Sequence, residues 1–591
     1  MTTSNSPDVD VLIVGLGPTG LISALALAQQ GLSVRGLTRW HWLANSPRAH
    51  ITNQRAMEVY RDLGIEEDAT KQGTPWDLMG DTPVAVSMAG EEIARIQTWG
   101  TGYLRRGDYV QASPCPLLDI PQPYIEPVIL NAAAHAGAKF MFNTEYLSYT
   151  ELDDRVVVAC RDEITGHEYE VSARYLIGAD GAGSQIAEQL ELAMHGHMAR
   201  AGQAYIRFRG DLSAYLDTRP SVLNWFVNPA GAFGEIGLGS LRNVRPWDDW
   251  MCGFGFDMSK GELKMSNEEA TQKVRAIVGD PTFDPEIVDI MIWYVNQQYA
   301  SEYGRGRVFC GGDAVHRHPP SSGLGLNTCV QDAHNLAWKI AYHLKGYAGS
   351  GLVDTYTAER APVGKQIVER ANQSRLDYQR LRDALAVPGS KDPAADGLAK
   401  VKAPTPEGAA ARKALREALE LKDYEFNAEG VELNQRYASD AVIVDADAQP
   451  EVFVRDPQLF VQATTRPGAK LPHAWLVGKN KKKISTLDVV GKGRFTLLTG
   501  LSGTKWAAAA ERLNLPFLQV VVIDTPGAQD LYANWQRVRE IDEAGALLVR
   551  PDGFVAWRQS QDESTVDEAE AALRDVLARI LDRPDMRGRS H

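Results

Sequence analysis

The apolar and polar positions of the first forty residues follow the order strand, turn, helix, strand. Residues 10–14 form a short apolar run that predicts a buried strand, and residues 33–38 predict a second one. Between them, the apolar positions of residues 21–29 indicate a helix, which Gly31 is placed to end. The segment that joins the first strand to this helix reads GLGPTG. The chain therefore opens with a strand–turn–helix–strand unit, which is typical of an α/β fold.

Two later apolar runs repeat the change from strand to glycine-containing turn. Residues 175–180 (YLIGAD) predict a strand that runs into an Asp-Gly turn. Residues 308–310 predict another strand, which ends in Gly-Gly-Asp and precedes a second glycine-rich turn and a long helix. Apolar residues recur along one face of that helix, and Gly346 ends it.

The middle and the end of the chain follow different patterns. Residues 205–209, 223–227 and 250–256 are rich in aromatic residues and predict strands of a separate sheet. A Pro-, Ala- and Gly-rich linker follows at residues 387–406, and Thr405 is placed as the N-cap of a helix that begins with proline. The C-terminal segment predicts a strand, a helix, a buried strand, a hairpin and a final helix, at residues 495–498, 504–514, 518–524, 546–558 and 566–581.

Composition limits the class of protein. The chain has 591 residues, 44% of them hydrophobic and 23% charged, so it is long enough for about three or four domains and is not disordered as a whole. Its 76 acidic and 62 basic residues give a net charge of −14, which argues against nucleic acid as a partner, because phosphate binding needs a basic face. No apolar run approaches the ~18 residues of a membrane span, and the polar N-terminus is unlike a secretory signal.

The cysteine usage adds an expectation about the compartment. The five cysteines are odd in number and widely spaced, and no pair has CxxC spacing. This usage is typical of a reducing compartment, so we expect a cytoplasmic protein. No cluster of His, Cys and acidic residues has the spacing of metal ligands, so we expect no metal.

The GLGPTG turn has the spacing of a dinucleotide-binding fingerprint. Gly15 permits the tight turn, Gly17 lets the backbone approach a pyrophosphate, and Gly20 allows the helix to pack closely on the strand. Pro18 and Thr19 open the helix, whose N-terminus presents free N–H groups and a partial positive charge to the phosphates. The alternative is a tight glycine turn in an ordinary α/β unit.

The acidic residue that usually binds the ribose hydroxyls at the end of the second strand is absent. Thr38 stands there, followed by Arg39 and Trp40. Arg39 can meet a phosphate or stack on the adenine, with Trp40 beside it. This departure disfavours plain NAD binding.

The later glycine turns indicate a second receptor for the same cofactor. Asp180 opens the Asp-Gly turn, and Asp313 can accept hydrogen bonds from ribityl hydroxyls. A glycine-rich turn that feeds a helix N-terminus receives anions or carbonyl groups. The residues of this last turn that we expect at the cofactor are Pro320, Gly323, Gly325, Leu326 and Asn327.

This three-part set of glycine and aspartate motifs resembles the single-component FAD-dependent aromatic monooxygenases of the p-hydroxybenzoate hydroxylase type. Four segments resemble the phenol hydroxylase branch of that family: PRAHITNQR at residues 47–55, ASPC at 112–115, DIPQ at 119–122 and RNVRPW at 242–247. The resemblance covers nearly the whole chain. This chain departs from the family pattern at Thr38, in place of the ribose-binding acid, and at Ala187, in place of an arginine that often closes the Asp-Gly motif.

The resemblance implies an α/β fold class in which a Rossmann-type FAD-binding domain is interwoven with a mixed-sheet substrate domain. The FAD-binding domain is expected at residues 1–200 and 300–385, and the substrate sheet at 75–110 and 200–300. A helical linker at 386–450 and a C-terminal thioredoxin-like domain at 451–591 complete the chain. That tail contains no cysteine, so it cannot exchange disulfides.

The resemblance also implies a reaction. FAD, reduced by NADPH or NADH, reacts with O₂ to give a flavin hydroperoxide, whose distal oxygen hydroxylates a phenolic substrate at the ortho position and yields a catechol. The expected partners are therefore a small phenol and O₂, and we expect a homodimer or higher homo-oligomer. No metal, nucleic acid or membrane is expected to take part.

The family positions assign roles to individual residues of this sequence. His50 is the candidate base at the phenol oxygen, against the alternative of a structural histidine, and Arg242 is a candidate charge near the phenolate or the nicotinamide, against a surface arginine. Arg48 and Gln122 are expected to contact FAD, whereas Asp119 is expected only to position the loop of Gln122. The large aromatic side chains expected in the pocket wall, with the hydrophobic core as the alternative, are Trp99 and Trp225.

Two other functions stay open at this point. One is a different flavin-dependent oxidoreductase, either an oxidase or a halogenase, although the WxWxIP signature of halogenases is absent. The other is a flavin-binding regulatory protein that has no catalytic activity.

Overall fold

The computed structural model describes residues 6–199, 201–227, 238–261, 263–385, 393–445 and 448–587. Its largest sheet has eight strands, with Val9–Val14 near the centre and parallel neighbours on both sides. Two antiparallel strands, Thr144–Glu151 and Val156–Asp162, extend it from Glu168–Gly178. In spatial order the main path is Gly304–Arg305, Val308–Cys310, Glu168–Gly178, Val9–Val14, Val34–Leu37 and Lys139–Met141.

The predicted opening unit is confirmed, with small shifts at its ends. The first helix, Pro18–Gln29, begins three residues earlier than the apolar pattern indicates, because proline fits the first turn of a helix. The predicted strand at 175–180 is part of the longer strand Glu168–Gly178, and Asp180 lies beyond its end in the turn. The strand Val308–Cys310 has the predicted bounds.

A second sheet of seven strands lies over the carboxyl ends of the first; we call it the roof sheet. It contains the three predicted aromatic-rich strands and draws two further strands from an earlier segment of the chain. One of its pairings is parallel, between Leu223–Phe226 and Thr82–Ala85, so the sheet is mixed as expected. Residues 228–237 of the predicted segment lie outside the described residues. The spatial order is Glu286–Tyr294, Gly202–Arg209, Asp249–Phe256, Gly239–Arg245, Leu223–Phe226, Thr82–Ala85 and Glu92–Ile96.

Helices cover these two sheets and connect them to the tail. The predicted N-cap at Thr405 is confirmed, since its side chain accepts a hydrogen bond from the Gly408 N–H at 3.1 Å. Residues 386–392 and 446–447 of the expected linker lie outside the described residues. The helices before the tail are Pro18–Gln29, Gln54–Asp62, Glu66–Gln72, Trp76–Met79, Arg106–Ala112, Gln122–His135, Gln185–Gln189, Asn267–Val278, Gly325–Leu344, Gly351–Ala384, Pro393–Lys402, Pro406–Glu420, Asp423–Phe426 and Glu429–Leu433.

The last unit contains a four-stranded sheet in the order Leu518–Val522, Phe495–Thr499, Ala546–Val549, Val555–Gln559. The first pair is parallel and the other two pairs are antiparallel, which is the arrangement of a thioredoxin-like core. The prediction that residues 518–524 form a buried strand is wrong, because Leu518–Val522 is an edge strand and is only half-buried. The helices of this unit are Thr504–Leu513, Asn534–Val538 and Val566–Ile580.

Buried ion pairs attach this tail to the helices of the FAD-binding part. Arg550 of the tail lies 2.5 Å from the carboxylate of Glu359, which Lys339 also contacts at 2.8 Å, and all three side chains are fully buried. Lys470 lies 2.8 Å from the buried carboxylate of Glu58. The tail therefore packs as part of the same core rather than as a separate appendage. Three small two- or three-stranded sheets complete the fold, formed by Ile51–Thr52, Leu118–Asp119 and Thr74–Pro75, by Met194–His197, Gln297–Ala300 and His316–Arg317, and by Trp475–Val477 and Lys483–Ser485.

Candidate active site

A cavity of about 1580 Å³ runs from the first glycine turn to the roof sheet. The loops at the carboxyl ends of the central strands form one end, which is where open α/β sheets bind ligands. The roof sheet and residues of the helical region form the other end. Of the sequence-predicted site residues, only Gly20 and Asn327 are absent from its wall.

The first glycine turn is shaped by contacts that leave no room for side chains. Gly15 has φ +100°, and a Cβ there would lie 2.1 Å from the carbonyl oxygen of Ala179. A Cβ at Gly20 would lie 1.9 Å from the Gly15 carbonyl oxygen, so this glycine serves the packing of helix on strand. Gly17 differs, because its Cβ would meet only Glu126 Oε1, at 4.0 Å. The space in front of Gly17 thus belongs to the cavity.

Three polar side chains form a connected line along one wall. The Arg48 Nε–H donates to Gln122 Oε1 at 3.0 Å, and the Gln122 amide donates to Glu126 Oε1 at 2.5 Å. Burial raises the pKa of Glu126. These bonds orient Arg48 and Gln122 in the cavity wall.

The second glycine-rich turn lies across the cavity from this line. Gly323 has φ +62°, and the helix Gly325–Leu344 begins without a side-chain cap at residues that line the cavity, so its first N–H groups are not engaged by a cap. Asp313 lines the same region. Asp180 lies beside the first glycine turn, where a Cβ at Gly15 would lie 3.0 Å from its backbone nitrogen. Its carboxylate accepts from the Ser184 hydroxyl at 2.6 Å, and burial raises its pKa.

Asn327 has a different position from the one we expected. Its amide nitrogen donates to the carbonyl oxygens of Ile51 and Gly323, at 2.8 and 2.6 Å, and its oxygen accepts from the Asn53 N–H at 2.9 Å. All the side-chain bonds therefore go to the backbone of two loops. Asn327 fixes the second glycine turn to the segment that follows His50.

His50, Asp119 and Arg242 form a buried cluster where the cavity meets the roof sheet. His50 Nδ1 lies 3.5 Å from Asp119 Oδ1, and Arg242 Nη2 lies 3.0 Å from the same oxygen. Asp119 is held there because it pairs with Ile51 in a small sheet. None of the facing atoms is aligned for a hydrogen bond: His50 Nδ1, both Asp119 oxygens, and Arg242 Nε and Nη2 are buried without a partner in the described part of the chain.

The electrostatics of this cluster favour a neutral histidine. Burial lowers the pKa of His50, the Arg242 cation lowers it further, and Asp119 only partly opposes them. Burial also lowers the pKa of Arg242, against the effect of Asp119. The cluster therefore contains a neutral base, a carboxylate and a buried cation side by side, in a dry part of the cavity.

Two tryptophans line the cavity near this cluster and also belong to the hydrophobic core. The Trp99 ring is 5.4 Å from the Arg242 guanidinium carbon and packs edge-on against Phe426. The Trp225 ring lies 5.0 Å from that of Tyr378. Tyr378 belongs to the helix Gly351–Ala384, and Phe426 belongs to the helix Asp423–Phe426. Both side chains belong to the hydrophobic core, and Phe426 also lines the cavity.

The sequence matches family models over most of its length. Residues 8–371 match the FAD binding domain family, and residues 464–584 match the C-terminal domain of aromatic-ring hydroxylases. The chain is 44% identical over 587 residues to 2,4-dichlorophenol 6-monooxygenase of Cupriavidus pinatubonensis, covering 98% of this chain and 97% of the relative. It is 46% identical over 583 residues to phenol 2-monooxygenase of a Pseudomonas species, covering 97% and 93%.

The chain belongs to the FAD-binding aromatic-ring hydroxylase family. A solved structure of this kind, the flavin-dependent monooxygenase PieE in complex with FAD and substrate, superposes with a TM-score of 0.92 at 40% identity and covers 98% of this chain and 100% of the other. A ternary complex of aklavinone-11 hydroxylase with FAD and aklavinone gives 0.80 at 28% identity, covering 98% and 100%. The fold class predicted from the sequence is thereby confirmed.

The residues of this hydroxylase fit FAD. The open space at Gly17 can receive a pyrophosphate, and the helix that begins at Pro18 has no side-chain cap, so its N–H groups remain available. The uncapped helix that begins at Gly325 offers a second set of N–H groups at the other end of the cofactor site. Arg39, whose guanidinium lies 4.7 Å from the centre of the Trp40 ring, lines the cavity mouth beside Trp42.

Some residues of the site were not found from the sequence. Asp119 was expected only to position a loop, yet it lies between His50 and Arg242. Glu126, Tyr205 and Ser240 line the cavity without having been singled out. The alternation of side chains along each strand of the roof sheet indicates which residues share a face. Only the register between the strands shows which of these residues are neighbours.

Two further observations concern metals and membranes. The described residues include no group of three or more His, Cys, Asp or Glu side chains placed to hold a metal ion. Within the same residues, no helix has the length and apolar character needed to cross a bilayer.

Proposed function

We propose that this hydroxylase converts a phenol to a catechol by ortho-hydroxylation, using O₂ and NADPH or NADH. The observation that carries the proposal is the cluster of His50, Asp119 and Arg242, whose facing polar atoms are buried without a hydrogen bond in the described residues. His50 and Arg242 line the cavity that fits FAD. Buried polar groups are normally paired, so these atoms are suited to a polar group of a substrate. The names of the relatives, phenol 2-monooxygenase and 2,4-dichlorophenol 6-monooxygenase, support a phenol.

FAD, when bound and reduced by the nicotinamide, supplies the activation of O₂ and the oxygen atom for the ring. We propose that the first glycine turn with Pro18 and Thr19, together with Arg39, Trp40 and Asp180, holds its adenosine and phosphate part. The ring end is assigned to Asp313, Pro320, Gly323, Gly325 and Leu326, with Arg48 and Gln122 along the wall.

His50 is proposed as the base. When its Nε2–H donates to the Pro47 carbonyl oxygen, 3.2 Å away, Nδ1 is the unprotonated nitrogen and has no hydrogen bond. A phenol has a pKa of about 10 and an ordinary histidine about 6.5, so full transfer in the ground state is unfavourable. Partial removal of the proton as the ring is attacked is feasible, because Asp119 stabilises the imidazolium that forms.

Arg242 is proposed to stabilise the negative charge that develops on the phenol oxygen. Arg242 lines the cavity, and its Nε and Nη2 make no hydrogen bond in the described residues, although Nη2 lies 3.0 Å from the Asp119 carboxylate. A buried cation acts strongly on a nearby oxyanion because the surroundings are poorly polarisable. A phenolate pushes electron density onto its ortho and para carbons, which is what an electrophilic oxygen atom requires.

The test is a panel of phenols given to the FAD-loaded enzyme with NADH or NADPH. We expect one catechol for each nicotinamide oxidised and each O₂ consumed, with the better nicotinamide identified by its kcat/KM. Oxidation of nicotinamide that yields hydrogen peroxide and no catechol with any phenol would instead indicate an oxidase. Tight FAD binding without phenol-stimulated oxidation would indicate a non-catalytic flavoprotein.

Two further expectations accompany this function. We propose a homodimer or higher homo-oligomer, which sedimentation of the FAD-loaded protein tests. We also propose that it works in the cytoplasm, and the five buried free thiols support a reducing compartment.

A further inference from the structure

The roof sheet carries a row of hydrogen-bonding side chains one register step from Arg242. Trp225 pairs with Ser240, Ser240 with Gly253, and Gly253 with Tyr205, so the row crosses four adjacent strands. The side chains of this row line the same cavity as Arg242, because alternate residues of a strand share one face. The row therefore lies next to Arg242, where the phenol oxygen is expected.

Glycine in the middle of the row makes this arrangement possible. A Cβ at Gly253 would lie 2.6 Å from Tyr205 Cε1 and 2.7 Å from Ser240 Oγ, so those two side chains occupy the space above the glycine. Trp293 stacks on the Tyr205 ring, with centroids 6.0 Å apart and planes 5° apart. Burial raises the pKa of Tyr205 to about 12, so its hydroxyl is neutral.

At the end of the row, the donor Trp225 and the acceptor Glu425 each contact the side chain of Tyr378. Trp225 Nε1 is a buried donor without an acceptor in the described residues. Next to the Trp225 ring, the Tyr378 hydroxyl donates to Glu425 Oε1 at 3.1 Å, and Lys422 Nζ lies 2.6 Å from Glu425 Oε2. Glu425 also lines the cavity and retains lone pairs for a further hydrogen bond. A buried donor left unpaired is unfavourable, so a ligand that pairs with it gains affinity.

We propose that Trp225, Ser240 and Glu425 form a polar subsite that selects phenols with a hydroxyl-bearing substituent para to the reacting hydroxyl; this inference rests on the function proposed above. Two residues along a strand span about 6.7 Å, which is comparable to the distance from a phenol oxygen to its para substituent. A hydroxyl accepts from the Trp225 N–H and donates to Glu425. Chlorine or an alkyl group leaves the Trp225 N–H unpaired, and a carboxylate meets Glu425 as a like charge.

The test uses 4-(hydroxymethyl)phenol and 4-ethylphenol, which have nearly the same shape and differ by a hydroxyl in place of a methyl. Affinity for the FAD-loaded enzyme is read from the change in flavin absorbance without nicotinamide, and catechol formation is measured separately. We expect 4-(hydroxymethyl)phenol to bind about tenfold more tightly, as two net hydrogen bonds predict. We expect 4-chlorophenol and 4-hydroxybenzoate to bind more weakly than 4-(hydroxymethyl)phenol.

Trp225→Phe removes the N–H and keeps an aromatic ring. We expect it to reduce the tenfold preference to about twofold, mostly through weaker binding of the hydroxymethyl compound. The matched control is Trp250→Phe, because Trp250 lies on the roof sheet outside the cavity and its N–H is already paired with the Trp247 carbonyl oxygen at 2.9 Å. The control should keep the wild-type preference.

The outcomes separate this inference from the function on which it rests. If the wild-type enzyme binds 4-ethylphenol as tightly as 4-(hydroxymethyl)phenol, or if Trp225→Phe keeps the full preference, the subsite is overturned while phenol hydroxylation stands. If neither phenol gives a catechol although both perturb the flavin, the proposed function fails, and the binding ratio alone still decides on the subsite.

Discussion

The two ends of the cavity are built in different ways. The cofactor end is formed mainly by backbone: the glycine turn at Gly17 leaves space, and two uncapped helix N-termini present N–H groups. At the roof end, side chains from separate strands and loops converge, and several buried polar atoms have no partner in the described residues. The first end is a receptor for phosphate and carbonyl groups. At the second end, a polar ligand is needed to supply hydrogen bonds to these buried atoms.

This difference predicts which property a substitution at each end should change. A change at the cofactor end should alter FAD affinity and leave the chemistry of bound cofactor intact. A change at the roof end should alter turnover or selectivity and leave FAD content unchanged. Each of the following predictions tests whether the two ends act separately in this way.

The largest effect is expected from His50→Gln, which removes the base and keeps a polar side chain of similar size. We expect kcat to fall about 10²- to 10⁴-fold, the usual contribution of a positioned base. FAD content should equal that of the wild type, because no part of the first glycine turn is touched. A wild-type rate across pH 6–9 would contradict the assignment of His50.

The next effect is expected from Gly17→Ala, at the cofactor end. Its Cβ meets no atom of the described chain closer than 4.0 Å, so the FAD-free protein should unfold at the wild-type temperature. In the complex the added methyl should clash with the cofactor and cost about 1–3 kcal/mol, which weakens FAD binding about 5- to 150-fold by titration.

Two comparison variants control this prediction. Gly15→Ala places a Cβ 2.1 Å from a carbonyl oxygen at φ +100°, so it should destabilise the FAD-free protein itself. Gly107→Ala, whose Cβ meets nothing within 4 Å, should change neither stability nor FAD affinity appreciably. Unaltered FAD affinity in Gly17→Ala would mean that the cofactor does not approach this glycine.

The pH dependence tests the electrostatics of the roof end. Burial and Arg242 hold the pKa of His50 below its ordinary value of about 6.5, so the acid limb of kcat/KM should lie below pH 6.5. Asp119→Asn removes the group that raises this pKa. The limb should therefore move to still lower pH, while the plateau rate falls about tenfold because the imidazolium loses its carboxylate.

The control for this experiment is Asp284→Asn, which removes a highly exposed carboxylate that contacts Arg275. It should leave both the limb and the plateau unchanged. A limb that moves to higher pH in Asp119→Asn would show that the proton acceptor is not His50.

The smallest effect is expected from Arg39→Ala at the cavity mouth. Arg39 lies by the exposed Trp40 ring, and a contact of its cation with the adenine ring of FAD at such an exposed site should contribute about 0.5–1 kcal/mol. FAD binding should weaken about two- to fivefold in a titration, with kcat at saturating FAD unchanged. A large loss of kcat would indicate that this residue acts beyond the cofactor end.

The cofactor end was more accessible to sequence analysis than the roof end. The GLGPTG turn, the strand Val308–Cys310 and the helix N-cap at Thr405 follow from local patterns, and the structure bears them out. For Asn327, its neighbours in the motif line the cavity, whereas its own side-chain amide bridges two loops, which the local pattern does not show. The role of Asp119 was missed because its pairing with Ile51 joins segments far apart in the chain.

The sequence by itself determined the strand–glycine turn–helix units and the order of the elements, because φ preferences and apolar periodicity act within a few residues. The kind of cofactor followed from the resemblance of its glycine and aspartate motifs to a known family. Only the tertiary structure decided that His50, Asp119 and Arg242 meet, and that Trp225, Ser240 and Tyr205 form one row. Those neighbours are set by strand register and by the packing of the roof sheet on the helices. A shift of one residue would turn every side chain to the other face, and the register depends on the burial of the whole sheet.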